Sequence, residues 1–200
     1  MKITFLIILA LIVLFFVSQA FVSSGTKGIE MHKYTVLKKY ENFEIRKYEP
    51  SNFSYTTMNS TSYKESSGQG FRTLAGYIFG KNDREQKISM TSPVKMEMGD
   101  SITMMFMIPS DLELNTLPTP TNPNVKFKSE PAKVVAAITF SGWADDEKIQ
   151  FYRTRLIDLL NKEGIEYEQE FSFLGYNPPF EFINRRNEII VTLKSEGEPK

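Results

Sequence analysis

The sequence predicts an α+β domain. An antiparallel sheet closes toward a barrel, flanked by two helices, and the whole is built from two pseudo-symmetric strand–helix–strand–strand units. Three observations predict it. Short β-branched or aromatic runs, separated by turn signals, alternate with two longer amphipathic stretches. The halves also repeat one order: Glu49-Pro50 matches Glu130-Pro131, and Phe71, Ala75, Ile78 and Phe79 match Tyr152, Leu156, Leu159 and Leu160, all 81 residues on. After a four-residue slip, Ser92-Pro93 meets Asn177-Pro178, and Ile102, Met104 and Phe106 meet Ile189, Val191 and Leu193 at a spacing of 87. Finally, 200 residues that are 41% hydrophobic and 24% charged have the composition of one globular domain.

The chain opens on an apolar run from Ile3 to Val17 behind Lys2, followed by the small residues of Ser18-Gln19-Ala20. Residues 1–24 read as a cleaved signal peptide, or as an uncleaved anchor spanning the bilayer through residues 3–22. Both readings place the rest outside the cytoplasm, as a periplasmic, secreted, luminal or membrane-anchored protein. Residues 25–33 read as a flexible arm, 34–194 as the domain with repeats over about 43–108 and 125–193, and 195–200 as a polar tail.

Within the domain, 34–40, 43–48 and 53–57 read as strands separated by Glu-Asn and Glu-Pro-Ser-Asn turns. The Ser/Thr cluster at 60–62 caps a helix whose Phe71, Leu74, Ala75 and Ile78 share one face, and Gly80 stops it. Residues 87–98 and 102–108 alternate as strands around Gly99-Asp100, and 117–124, with three prolines, is a loop. Strands follow at 125–130 and 133–140. Asp145 then opens a second helix that Gly164 closes, and strands at 166–176 and 188–193 finish the fold.

Composition excludes much chemistry. Basic and acidic residues balance at 24 each, so nucleic acid finds no electrostatic footing. With no cysteine and one histidine, thiol nucleophiles, disulfides and Cys zinc sites are gone. Glu41, Glu44, Glu49 and the run Asp145-Asp146-Glu147 are carboxylates without an evident catalytic pairing, and the last suits a helix start. Six of nine methionines, Met90, Met96, Met98, Met104, Met105 and Met107, form a deformable apolar wall, with Cu(I) binding as the competing use.

Phe43-Glu-Ile-Arg-Lys-Tyr48, the segment from Phe71 to Asp83, Lys87-Ile-Ser-Met-Thr-Ser-Pro-Val94, Gly175-Tyr-Asn-Pro-Pro179 and Asn184-Arg-Arg-Asn-Glu188 resemble the SOUL/haem-binding protein family, in order, over about residues 34 to 194. The resemblance implies a distorted β-barrel of two repeats flanked by two helices. It also implies a non-enzymatic carrier or sensor of haem or a related tetrapyrrole. Where one branch of the family places an axial histidine, this chain has Lys47. Where another lays the tetrapyrrole against the first helix, the matching positions are Phe71, Leu74, Ala75 and Gly76, and a propionate lysine is matched by Glu181.

The expected ligand site is therefore an apolar cleft between the first helix and the sheet, lined by Phe71, Leu74, Ala75, Ile78 and Met90. Lys47, Arg185 or Arg186 meets the propionates, and no metal ligand is assigned. His32, the one classical iron ligand, lies in the arm. Tyr77 and Tyr176 offer phenolates or plain packing. The expected function is an exported, non-enzymatic protein holding haem reversibly. The alternatives are a binder of other apolar small molecules and a hydrolase of a lipophilic substrate.

Overall fold

The computed structural model describes residues 4, 7–9, 11–14, 28–178 and 181–194. Most of the leader and all of the 195–200 tail lie outside the described residues. Positions 4, 7–9 and 11–14 are helical, and among the described residues no helix is long and apolar enough to cross a membrane.

Strands β1 (Glu30–Met31), β2 (Tyr34–Lys39), β3 (Glu44–Tyr48) and β4 (Ser51–Met58) lead into helix α1 (Tyr63–Ile78). Then come β5 (Thr91–Ser92), β6 (Val94–Met98), β7 (Ile102–Met107), β8 (Lys126–Glu130), β9 (Lys133–Ser141), helix α2 (Asp146–Lys162), β10 (Tyr167–Gly175) and β11 (Arg186–Leu193). Nine strands form one antiparallel sheet in the order β2-β3-β9-β11-β10-β6-β7-β4-β8, curled as a half-barrel. The strand expected over 87–98 starts only at Thr91 and is broken at Pro93, which cannot donate to a ladder.

The sheet order shows the duplication. It centres on β10 and β6, where Phe173 faces Met96, and runs outward through β11 and β9 on one side and β7 and β4 on the other. The outermost repeat strands are exchanged: β3 of the first unit pairs with β9, and β8 of the second pairs with β4. Tyr48 stands opposite Lys133 in one half and Glu130 opposite Ser51 in the other. The hairpin match read from sequence needs correction. Ser92-Pro93 precedes β6 whereas Asn177-Pro178 follows β10. The cause is loop length: 99–101 joins the first hairpin and 176–185 the second.

Both helices cover one face of the sheet. Leu74, Leu156 and Leu160 are fully buried there against Met96, Ile102, Met104, Ala136 and Ile189. α1 starts at Ser62, whose hydroxyl accepts from the Glu65 amide, and ends before Gly80 at φ 109°. Its glycines serve packing at one point: a Cβ on Gly70 would lie 3.0 Å from Met58 Cε and 3.1 Å from Met104 Cβ. Asp145 caps α2, and Asp146 takes hydrogen bonds from the Ser62 hydroxyl and the Tyr63 and Lys64 amides, so the two helix starts are tied together.

Candidate functional site

The helix-free face carries the unusual chemistry. Alternation along β3, β9 and β11 turns Arg46, Tyr48, Val135, Ala137, Glu188 and Ile190 to that face. Glu188, with none of its surface exposed, accepts from Arg46 Nη1 at 2.9 Å, Tyr176 Oη at 2.7 Å, Thr139 Oγ1 at 3.0 Å and Arg186 Nη2 at 2.7 Å. Arg46 also pairs with Glu44 at 2.9 Å and lies over the Tyr34 ring, and Arg186 lies over that of Tyr176. Burial opposes the charge on Glu188, but the two arginines and Tyr176 hold its carboxyl below the usual range. Burial, with Glu188 beside it, pushes the Tyr176 phenol up, which keeps it a neutral donor.

A second ionic cluster lies further along the same face. Lys95, 4% exposed, bonds Glu130 at 2.7 Å and Glu97 at 2.9 Å. Lys133 bonds Glu130 at 2.6 Å, and Lys128 reaches Glu97 at 3.0 Å and Glu130 at 3.2 Å. Against burial, Lys95 and Lys133 hold Glu130 far below the ordinary carboxylate range.

A cavity of about 10 Å³, room for about one water, lies between this cluster and Tyr48, Phe53, Leu174 and Ile190. Tyr48 is buried, and its hydroxyl has no hydrogen-bond partner among the described residues although Arg46 and Tyr176 lie beside it. His32 closes the cavity. Its Nε2 lies 2.8 Å from the Glu49 carbonyl and its ring packs on Tyr48 and Phe53 at 4.7 and 5.6 Å. The expected flexible arm is thus docked from Glu30 onward: β1 pairs in parallel with β5, and the His32 amide donates to Ser92. Burial pulls the imidazole below its ordinary value.

The sequence-predicted site residues do not converge. Leu74, Ala75 and Ile78 belong to the helix–sheet core, half-buried Phe71 packs edge-on against Phe106 at 5.4 Å, and Met90 packs at the margin of the same core. These side chains line the packing of α1 on the sheet rather than a ligand cleft. Lys47 is exposed opposite Val134, near the start of β9, whereas Arg186 pairs with Ser141 at its end. The two positions are about 25 Å apart at the rise of a strand, too far to share one ligand. Arg186 is held by Glu188 and Tyr34. Arg185 orders its own loop by donating to the carbonyls of Asn177, Pro178 and Glu181.

Around Arg185, however, aromatic surface is left in the open. Its guanidinium lies 4.0 Å from the Trp143 ring, and Trp143 contacts Phe182 at 5.7 Å. Trp143 is 50% exposed, Phe182 53% and Ile183 37%. Lys148 stands beside Gly142 and donates to the Ser141 carbonyl, and Arg185 acts electrostatically on Tyr63 at the head of α1. This ledge joins the β9–α2 turn, the β10–β11 loop and the first helix.

The model of the family described as "SOUL heme-binding protein" matches residues 29–192. The chain belongs to this family. A mouse protein named Heme-binding protein 2 is 32% identical over 163 residues, covering 77% of this chain and 79% of the relative. A Xenopus laevis protein named Heme-binding protein 1 is 24% identical over 174 residues, with 81% and 91% covered. Among solved structures, the C-terminal domain of EcmrR superposes with a TM-score of 0.59 at 8% identity, covering 80% of this chain and 98% of that one. A hydrolase from Listeria innocua gives 0.55 at 7%, with 78% and 94% covered. These two share the fold.

Membership of this family makes haem a possible ligand of the chain. Of the groups weighed as iron ligands, the Tyr176 hydroxyl donates to Glu188, the Tyr77 hydroxyl donates to the Pro118 carbonyl, and the His32 Nε2 lies against the Glu49 carbonyl. The ledge instead offers aromatic faces with Arg185 and Lys148 as flanking cations. Among the described residues no group of His, Cys, Asp and Glu is arranged to hold a metal ion.

Proposed function

We propose that this protein is a non-enzymatic binder of haem or a related tetrapyrrole, exported by its leader, and that it holds its ligand reversibly on the aromatic ledge. The observation that carries the reading is the exposed Trp143–Phe182–Ile183 surface beside the first helix, in a chain whose family is one of haem-binding proteins. A large planar ligand is bound there by apolar burial and stacking, with Arg185 and Lys148 facing its carboxylates. An open ledge without an axial bond favours exchange over permanent retention.

Trp143 is the one tryptophan of the chain, so its fluorescence reports directly on the ledge. Titration of the full chain with haemin is expected to give a saturable Soret change and parallel quenching of Trp143. Trp143→Ala weakens the Soret titration by about tenfold, whereas Lys47→Ala leaves it unchanged. A flat Soret titration, or unaltered affinity in Trp143→Ala, overturns the assignment.

A further inference from the structure

Among the described residues, the cluster around Lys95 is one negative charge short. Three ammonium groups, Lys95, Lys128 and Lys133, share the two carboxylates Glu97 and Glu130. Lys128 and Glu97 are about a third exposed, but Lys95 and Glu130 are buried and Lys133 is mostly so, and at that inner end excess charge is costly unless an anion joins it. Lys133 carries the effect: burial and the neighbouring Lys95 pull its ammonium below the usual lysine range. Beside it the surroundings turn apolar, with Tyr48, Phe53, Leu174 and Ile190 lining the same small cavity.

The imidazole of His32 fills the aromatic seat of that cavity, and it is delivered by a short strap. Residues 30–33 are held by the two-residue β1–β5 pairing, by the His32 amide to Ser92 and the Glu49 amide to Lys33, and by the Ser110 amide to the Glu30 carboxylate. On the other side of the strap, Glu30, Met31 and Lys33 line a second cavity of about 180 Å³. The strap therefore separates an apolar seat with an unbalanced cation cluster from a second cavity.

We propose that the helix-free face is a second ligand site, specific for an apolar carboxylate of medium chain length and closed by residues 30–33. The carboxylate supplies the missing negative charge at Lys95 and Lys133. Its hydrocarbon replaces the His32 ring against Tyr48 and Phe53. None of these residues belongs to the aromatic ledge, so the site stands independently of haem.

The test is calorimetric titration of the full chain with sodium octanoate, with 1-octanol as the uncharged control. Saturable binding of octanoate and none of octanol is expected. Lys133→Gln weakens it by about tenfold, the loss of one charge-assisted contact, and Lys133→Arg retains it. His32→Ala, which vacates the seat, tightens it. Absence of octanoate binding in both the wild type and His32→Ala overturns the proposal, as does equal binding of octanol or an unchanged affinity in Lys133→Gln. Trp143→Ala leaves octanoate binding intact, so failure of the haem reading and failure of this one are separable.

Discussion

Two ionic knots sit on one face of one sheet, and they are built differently. Around Glu188, Arg46 and Arg186 meet Glu44 and Glu188 with charges balanced, the exposed Lys39 aside, and the buried carboxylate has Tyr176 and Thr139 as further donors. Around Glu130, three lysines share two glutamates beside a cavity and under a short strap. The first knot is closed: planar guanidiniums fix its geometry, and little more can be added. The second has a charge and a space left over, which is what a site requires and a purely structural cluster avoids.

Substitutions can break this contrast. The largest effect is expected for Glu188→Ala, which leaves Arg186 without its carboxylate and Arg46 with Glu44 alone. A loss of about 3–5 kcal/mol in urea unfolding follows, and a loss below about 1 kcal/mol would remove the closed knot from the account of stability.

Acid titration comes next. Glu188 and Glu130 are both held below the ordinary glutamate value of 4.5, so their contribution is complete above that pH and drains away as pH falls below it. His32 is held below its ordinary 6.5 and is favoured neutral, so its contribution is complete above pH 6.5 and declines as pH falls from there. Melting temperatures across this range are expected to fall in two stages. The stage between 6.5 and 4.5 disappears in His32→Gln and the lower stage persists. A wild-type profile with only the lower stage removes His32 as the strap's pH-sensitive contact.

The smallest effect is expected for Lys128→Ala. Its side chain is 32% exposed, and its removal balances the second knot. Stability should change by no more than about 0.5 kcal/mol. A cost above about 2 kcal/mol would show that the knot is not in cationic excess.

Local chemistry is what the residues spelled out. Ser62 and Asp145 cap the helices, Gly80 and Gly164 end them at positive φ, and within the stretch expected to alternate as a strand Met96 and Met98 alternate with Lys95 and Glu97. Each signal sits within a few residues of its effect. The knots were not legible, because Arg46 and Glu188 are 142 residues apart in the chain and Lys95 and Glu130 are 35 apart. Only the sheet order brings them together. β1 escaped for a related reason: a two-residue parallel pair has no periodicity to detect, and His32 looked solvated because its aromatic partners come from β3 and β4. Leu74, Ala75 and Ile78 have the pattern of a buried helix face, which a core satisfies as well as a ligand does, and in the structure they belong to the core.

The exchange of β3 and β8 has a consequence for how such a molecule could arise. Each repeat completes its partner's sheet with its own first strand, so a single unit would leave β4 without β8 and would offer β3 to nothing. A lone copy could satisfy those edges only by embracing a second copy, strand for strand, about a twofold axis. The fused chain is thus the covalent form of a strand-exchanged dimer.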